Sequence, residues 1–360
     1  MIRALVNEAM RLERQNHLKA RLYERTERRR GYANGYKPKR VKTRVGEINF
    51  DIPQVREGGF YPGALDKGLR SERALMLAMA EMVVKGVSTR KVAAFTEKLC
   101  GTAVSSTQVN RAASLLNEVL NAWRRRPLGE VKVLYLDARY EKVCVDGQIR
   151  DAAILIASGV GKSGKRQILG VSVSLSEAEV HWRAFLEDLV ARGMQGIQLI
   201  VSEDHSGLRA ARRAVLGGVP WQRCQFHLQQ NALQYVPRRS MRKEVAEDIR
   251  IIFNAPDRST AEAYLAKAIA KYADTASKLS AWMEENIPEG LTVFDFPRKG
   301  WLRLRTTNGL ERVSQEIKRR TRVVRIFPNE ASYLRLISAI LMEIGEEWET
   351  GKVYLSFDDE

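Results

Sequence analysis

The stretch VKVLYLDARYEKVCVDGQIRDAAILIASGVGKSGKRQILGVSVSLS, residues 131–176, holds three runs rich in β-branched and aromatic side chains. Asp146-Gly147 separates the first two, and the turn GKSGKR, residues 161–166, separates the second from the third. Runs of this composition joined by tight Gly turns predict an antiparallel meander. Downstream the period changes. An amphipathic helix, HWRAFLEDLVARG (181–193), precedes the apolar run IQLIVSED (197–204), a second helix GLRAARRAVL (207–216) and a strand WQRCQFH (221–227). A meander followed by alternating helix and strand predicts an α/β fold, with one mixed sheet covered on both faces.

Upstream of the meander the pattern is mostly helical. Residues 1–30 are dense in Arg and Glu, and RRRGYANGYKPKR (28–40) breaks that helix with Gly31, Gly35 and Pro38. Alternation then predicts a small hairpin over 41–53: Val41, Thr43 and Val45 flank Lys42 and Arg44, and Ile48, Phe50 and Ile52 alternate after Gly46-Glu47. Residues 87–123 divide into a short and a longer helix, with Ser88 or Thr89 capping the first, Gly101 ending it, and Ser105 or Ser106 capping the second. Gln108, Asn110 and Arg111 fall in the first turns of the second, an arrangement compatible with a helix-turn-helix reader of DNA. A boundary is expected near residue 128, at RRRPLGE. Beyond the sheet, residues 228–305 read as a helical segment with an extended patch at LTVFDFP (291–297). The last part, 306–360, carries the helix TTNGLERVSQEIKRRT, with Thr307 or Asn308 as N-cap, a second long helix and an acidic end. Four regions follow: 1–128, 129–227, 228–305 and 306–360.

A chain of 360 residues with 44% hydrophobic content supports a packed core, and its net charge is +17. Residues 1–50 alone hold fourteen Lys and Arg against five Glu, the footprint of a phosphate-backbone partner. No apolar run is long enough to span a membrane, and the first residues lack the apolar block of a signal peptide, so a cytoplasmic protein is expected. Cys100, Cys144 and Cys224 are an odd number at wide spacings, which encodes no disulfide framework.

Acidic residues end two of the buried runs. Asp137 ends VKVLYL, and Glu203-Asp204 ends IQLIV. Carboxylates on neighbouring strand ends repel one another unless a cation lies between them. A hard divalent ion, Mg²⁺ or Mn²⁺ in its place, removes the objection, and two such ions suit an in-line phosphodiester displacement. Glu311, in the first turn of a helix, offers a third acid beside the basic residues Arg312, Lys318, Arg319, Arg320 and Arg322. Cys224 and His227 make a C-X2-H pair, but only His17, His181 and His205 remain to complete a Cys/His zinc site. Trp282 offers a stacking surface for a splayed base or a core side chain.

The words LYLDARYEKV, RQILGVSVS, WRAFLEDLVARG, DHSGLRAARRAV, WQRCQFHLQQNA, TTNGLERVSQEIKRRTRVVRIFP and EEW together resemble the Mutator family of bacterial insertion-sequence transposases, from about Gly35 to Trp348. The resemblance implies an RNase H-like catalytic domain with an all-helical insertion before its final helix. It also implies an acidic triad of DDE type binding two Mg²⁺, and cleavage and strand transfer at the inverted-repeat ends of the element. Its partners are then double-stranded DNA, both terminal repeats and target, and a second copy of the chain in a homodimer or larger assembly. By the same resemblance Asp137 is the first acid and Glu311 the third, and Cys224 and His227 belong to the catalytic core, with His205 supporting it. The second acid departs from the pattern. Where the family usually reads Ser-Asp-X-His-X-Gly-Leu, this chain reads Ser202-Glu203-Asp204-His205-Ser206-Gly207-Leu208. Glu203 and Asp204 both stay open, as Leu199/Val201/Glu203 and Ile200/Ser202/Asp204 are each a reasonable strand face. A structure-selective nuclease on the same fold, or an impaired derivative that only binds DNA, are the competing readings.

Overall fold

The computed structural model describes residues 2–21, 24–43, 46–56, 59–65, 73–101, 103–114 and 116–357. Arg44 and Val45 of the expected hairpin lie outside them. The chain divides into two compact units, Met1–Asn117 and Glu118–Glu360.

In the first unit, helix α1 (Ile2–Leu18) precedes strands β1 (Ala33–Thr43) and β2 (Gly46–Val55), which pair antiparallel. Met10 of α1 packs with Val41, Phe50 and Ile52, the inward face of the alternation. The hairpin is longer than 41–53, because β1 runs through Gly35 and Pro38 with an irregularity between Ala33 and Tyr36. The first helix is correspondingly shorter than residues 1–30. Helices α2 (Arg73–Val84), α3 (Thr89–Cys100) and α4 (Ser106–Ser114) enclose a second cluster of Leu75, Met76, Met79, Val92, Val109 and Ala112. Ser88 caps α3 by accepting from Lys91 N, and Gly101 ends it at φ 61° in the left-handed region. Ser105 and Gln108 form a reciprocal capping box on α4: Gln108 N donates to Ser105 Oγ, and Ser105 N to Gln108 Oε1. The expected longer helix is in fact two, α4 and α5 (Asn117–Arg124). Almost all of α5 belongs to the second unit, where Trp123 packs on the sheet core and Arg124 donates to Ser338 Oγ at 2.7 Å. The division therefore precedes residue 128.

The second unit is built on a five-stranded sheet. Strands β3 (Val131–Val145), β4 (Gln148–Gly161) and β5 (Arg166–Ser174) form the meander. Helix α6 (Glu179–Ala191), β6 (Leu199–Ser202), α7 (Ser206–Leu216) and β7 (Trp221–Arg223) follow, giving the order β5-β4-β3-β6-β7 with β6 and β7 parallel to β3. Period-2 alternation sorts the side chains of β3. Val133 and Tyr135 face one layer with Leu199 and Val201, and Leu134 and Leu136 face the other with Ile200. The second layer is covered by Trp182, Phe185, Leu186 and Leu189 of α6 and by Leu208 and Ala211 of α7. Each such fully buried large side chain contributes about 1.5–3 kcal/mol.

β7 is shorter than the strand read at 221–227. Gln225 N is taken by Arg305 O, and helix α8 (Gln225–Ala232) begins there. Helices α9 (Arg242–Phe253), α10 (Arg258–Tyr272) and α11 (Ser277–Asn286) pack with α8 around Leu228, Val245, Ile249, Leu265, Leu279 and Met283. Trp282 belongs to this core and stacks on Tyr235 at 5.5 Å. The patch expected to be extended at 291–297 is instead a 3₁₀ turn over Thr292–Asp295. Tertiary hydrogen bonds hold it: Val293 N donates to Gln222 Oε1 and Thr292 Oγ1 to Trp221 O. After the short α12 (Trp301–Leu304), helices α13 (Asn308–Thr321) and α14 (Glu330–Thr350) supply Leu310, Val313, Ile317, Ile337 and Ile340 to the first sheet layer. The face of β3 that carries Val133 and Tyr135 is thus the face covered by α13. Among the described residues no helix is long and apolar enough to cross a membrane.

Candidate active site

Asp137 continues the phase of Val133 and Tyr135 on β3, so its carboxylate lies under α13, where Ser314 Oγ donates to Oδ2 at 3.3 Å. Its other oxygen accepts from Ala138 N at 3.0 Å. Burial and then the nearby Glu203 push its pKa up to about 7. β6 lies beside β3 in parallel, with Tyr135 opposite Val201 and Leu136 opposite Ser202. The next residues of the two segments are Asp137 and Glu203. Burial raises the pKa of Glu203 as well, partly offset by His227, whose Nε2 is 4.0 Å from Glu203 Oε2.

Asp204 takes the opposite phase and enters a different set of contacts. Arg209 Nη2 meets Asp204 Oδ2 at 2.8 Å, and Arg223 Nη1 meets the same oxygen at 3.3 Å. Both guanidinium groups also bind Glu289, at 3.1 and 2.9 Å. Two arginines between two acids make an ion network, with Arg223 almost wholly buried and its Nε left without a hydrogen-bond partner. Glu203, by contrast, has no arginine or lysine among its described ion-pair partners.

Glu311 stands in the first turn of α13, and its Oε1 is buried without a hydrogen-bond partner. One ligand atom from each of Cys224, His227 and Glu311 lies within 4.8 Å of the other two. Cys224 is fully buried at the start of α8 and receives a hydrogen bond from Thr307 Oγ1 at 3.4 Å. Burial raises its pKa, but His227 and Thr307 outweigh burial and leave the thiol below its ordinary value. The Cys224 sulfur in turn pushes His227 up to about 9 against burial, with Glu203 and Glu311 adding to the rise.

A further carboxylate went unseen in the sequence. Glu177, in the turn before α6, is 7% exposed, with Oε2 buried and unpartnered 3.9 Å from His205 Nδ1. An acid just before a helix ordinarily signals favourable placement at the helix dipole, so nothing local distinguishes it. Its turn packs closely on α7, for a Cβ at Gly207 would lie 2.1 Å from Glu177 O and 2.8 Å from Glu179 N. Gly207→Ala is expected to cost about 1–3 kcal/mol of stability and to slow any reaction using Glu203, because α7 must move. A melting temperature equal to wild type would contradict this.

The remaining candidates are dispersed. Lys42 donates to Ala103 O, and the side chain of Gln108 is engaged in the capping box, while Asn110 and Arg111 are exposed. On α13, Arg312 and Lys318 are exposed, as is Arg322 just beyond it; Arg319 is exposed but paired with Glu316 at 2.7 Å. Arg320 does not belong to that basic face. It is buried between α13 and α14, bound to Glu316 and Glu343.

Comparison with known proteins gives these features a family. Residues 1–351 match the family described as Transposase, Mutator family. The chain is 58% identical over 359 residues to the transposase for insertion sequence element IS406 of Burkholderia multivorans, covering 99% of this chain and 92% of that protein. It is 41% identical over 360 residues to the transposase for ISRM5 of Rhizobium meliloti, covering 100% and 90%. With the transposase for IS256 in transposon Tn4001 of Staphylococcus aureus, identity is 36% over 365 residues, covering 99% and 93%. Among solved structures, a simian T-cell lymphotropic virus intasome in complex with PP2A regulatory subunit B56 gamma is 12% identical, with a TM-score of 0.20, over 54% of this chain and 67% of that one, a likeness too slight to carry an argument. The chain belongs to the Mutator family of transposases.

Proposed function

We propose that this chain is a DDE-type insertion-sequence transposase on an RNase H-like fold, with Asp137, Glu203 and Glu311 as its metal-binding acids. One observation carries the reading. Asp137 within β3 and Glu203 just past the end of the adjacent parallel β6 lie on the sheet face that α13 covers, and α13 brings a third carboxylate whose buried oxygen has no partner. Burial disfavours ionised Asp137 and Glu203, and Glu203 adds to the effect at Asp137, which fits a site designed around cations. Mg²⁺, or Mn²⁺ in its place, would supply Lewis-acid stabilisation of the attacking and leaving oxygens at a phosphodiester. The protein's own groups do the rest. Asp137 is held by Ser314, and His227, cationic at neutral pH, steadies the Glu203 carboxylate and presents positive charge to a phosphate. The exposed Arg312, Lys318 and Arg322 extend that charge along the duplex, and Asn110 and Arg111 of α4 suit base-edge and phosphate contacts. The chain acts on the inverted-repeat ends of its element and on target DNA as a homodimer or larger assembly.

The test is incubation of the protein with Mg²⁺ and DNA carrying its own element's ends. End-specific cleavage and strand transfer are expected, with Ca²⁺ supporting binding but little cutting. Equal cutting of scrambled ends would favour a structure-selective nuclease, and binding without cutting an impaired derivative. Log affinity should also fall linearly with log salt, by about 0.9 per phosphate neutralised. A flat titration would contradict the basic surfaces assigned to DNA.

A further inference from the structure

Cys224 has no role in a site made only of oxygen ligands, yet it lies buried beside the half-buried His227 and Glu311. Its donors are one sulfur, one imidazole nitrogen and one carboxylate oxygen, mutually within 4.8 Å. Thiolate and imidazole are poor ligands for Mg²⁺ and good ones for Zn²⁺, Co²⁺ and other borderline-soft ions. Three protein ligands with a fourth position left for solvent is the composition of an open tetrahedral site. Independent observations point the same way. His227 Nδ1 and Glu311 Oε1 are buried and unpartnered, so the pocket holds polar atoms whose hydrogen-bonding capacity is unmet. Cys224 is wholly buried and is the only cysteine of the chain in that state, Cys100 and Cys144 being partly exposed.

We propose that Cys224, His227 and Glu311 form a binding site for a thiophilic divalent cation such as Zn²⁺, and that occupancy turns Glu311 away from the acids of β3 and β6. The cation is then an inhibitor, because a Glu311 carboxylate drawn into this cluster is withdrawn from Asp137 and Glu203. The binding half of this inference is independent of the transposase reading, whereas the inhibitory half rests on Glu311 acting with Asp137 and Glu203.

Co²⁺ titration of the full-length protein separates the two. One equivalent is expected to give thiolate-to-cobalt charge-transfer absorption and the intense visible bands of tetrahedral coordination, both removed by Zn²⁺ and neither by a large excess of Mg²⁺. Cys224→Ser should abolish the charge-transfer band, while Cys100→Ser and Cys144→Ser keep it. Glu311→Gln should weaken Co²⁺ binding at least tenfold, with the thiolate band retained at saturation, which serves as the check should Cys224→Ser fold poorly. A band that survives Cys224→Ser, or wild-type protein with no thiolate band, would overturn the site. For the inhibitory half, Zn²⁺ added to the Mg²⁺ reaction should suppress wild-type cleavage at concentrations that displace Co²⁺, and a chelator selective for Zn²⁺ should restore it. Stoichiometric Zn²⁺ binding with undiminished cleavage would leave the site standing and overturn its effect on Glu311.

Discussion

Asp137→Asn is expected to lower Mg²⁺-dependent end cleavage by on the order of a thousandfold or more, with end binding nearly unchanged. The substitution keeps the shape, with the amide oxygen accepting from Ala138 N and the amide nitrogen donating to Ser314 Oγ, but removes the charge that a cation needs. Thermal denaturation gives a second readout that does not depend on chemistry. In the metal-free protein the variant should be at least as stable as wild type, because it loses a carboxylate that burial and Glu203 disfavour. Mg²⁺ should then raise the wild-type melting temperature and leave that of the variant where it was. Glu311→Gln should reproduce the loss of cleavage. A variant that cuts at the wild-type rate, or is stabilised by Mg²⁺ to the same extent, would remove Asp137 from the site.

Glu203→Gln and Asp204→Asn should separate cleanly, although the two residues are adjacent. Glu203→Gln is expected to abolish cleavage, and Glu203→Asp to retain or raise it, since a carboxylate stays in reach. Asp204→Asn should instead cost stability. It leaves Arg209 and the buried Arg223 with Glu289 as their remaining carboxylate, at an expense of about 1–3 kcal/mol for poorly satisfied buried charge. A lower melting temperature with cleavage preserved below it is the predicted pattern. Loss of cleavage in folded Asp204→Asn, with Glu203→Gln active, would assign the second acid to Asp204.

Local chemistry made the meander legible. Asp146-Gly147 and the glycine turn at 161–166 fix both hairpins within a few residues of sequence. The choice between Glu203 and Asp204 was not legible, because both strand phases are apolar up to the last residue. On the proposed assignment, what separates them is which sheet face α13 covers, and α13 lies about a hundred residues further on. The same kind of distance misled the reading of 291–297, whose β-type composition yields to hydrogen bonds donated by Thr292 to Trp221 O and by Val293 N to Gln222 Oε1. It also hid the Cys224 cluster. A search for a third Cys or His fails, whereas the third donor of the cluster is a carboxylate contributed by another helix.

The three acids proposed for the site come from β3, from the end of β6 and from α13, with the helices α8 to α11 intervening before the last. During synthesis the sheet strands emerge well before α13, and loop closure across the helical segment adds little cost once that segment has folded on its own core. A nascent chain can therefore hold the meander and both sheet acids while still lacking Glu311. On the proposed site, competence to cut DNA arrives late, when α13 docks, and a partly made or prematurely terminated chain is expected to occupy DNA ends without breaking them.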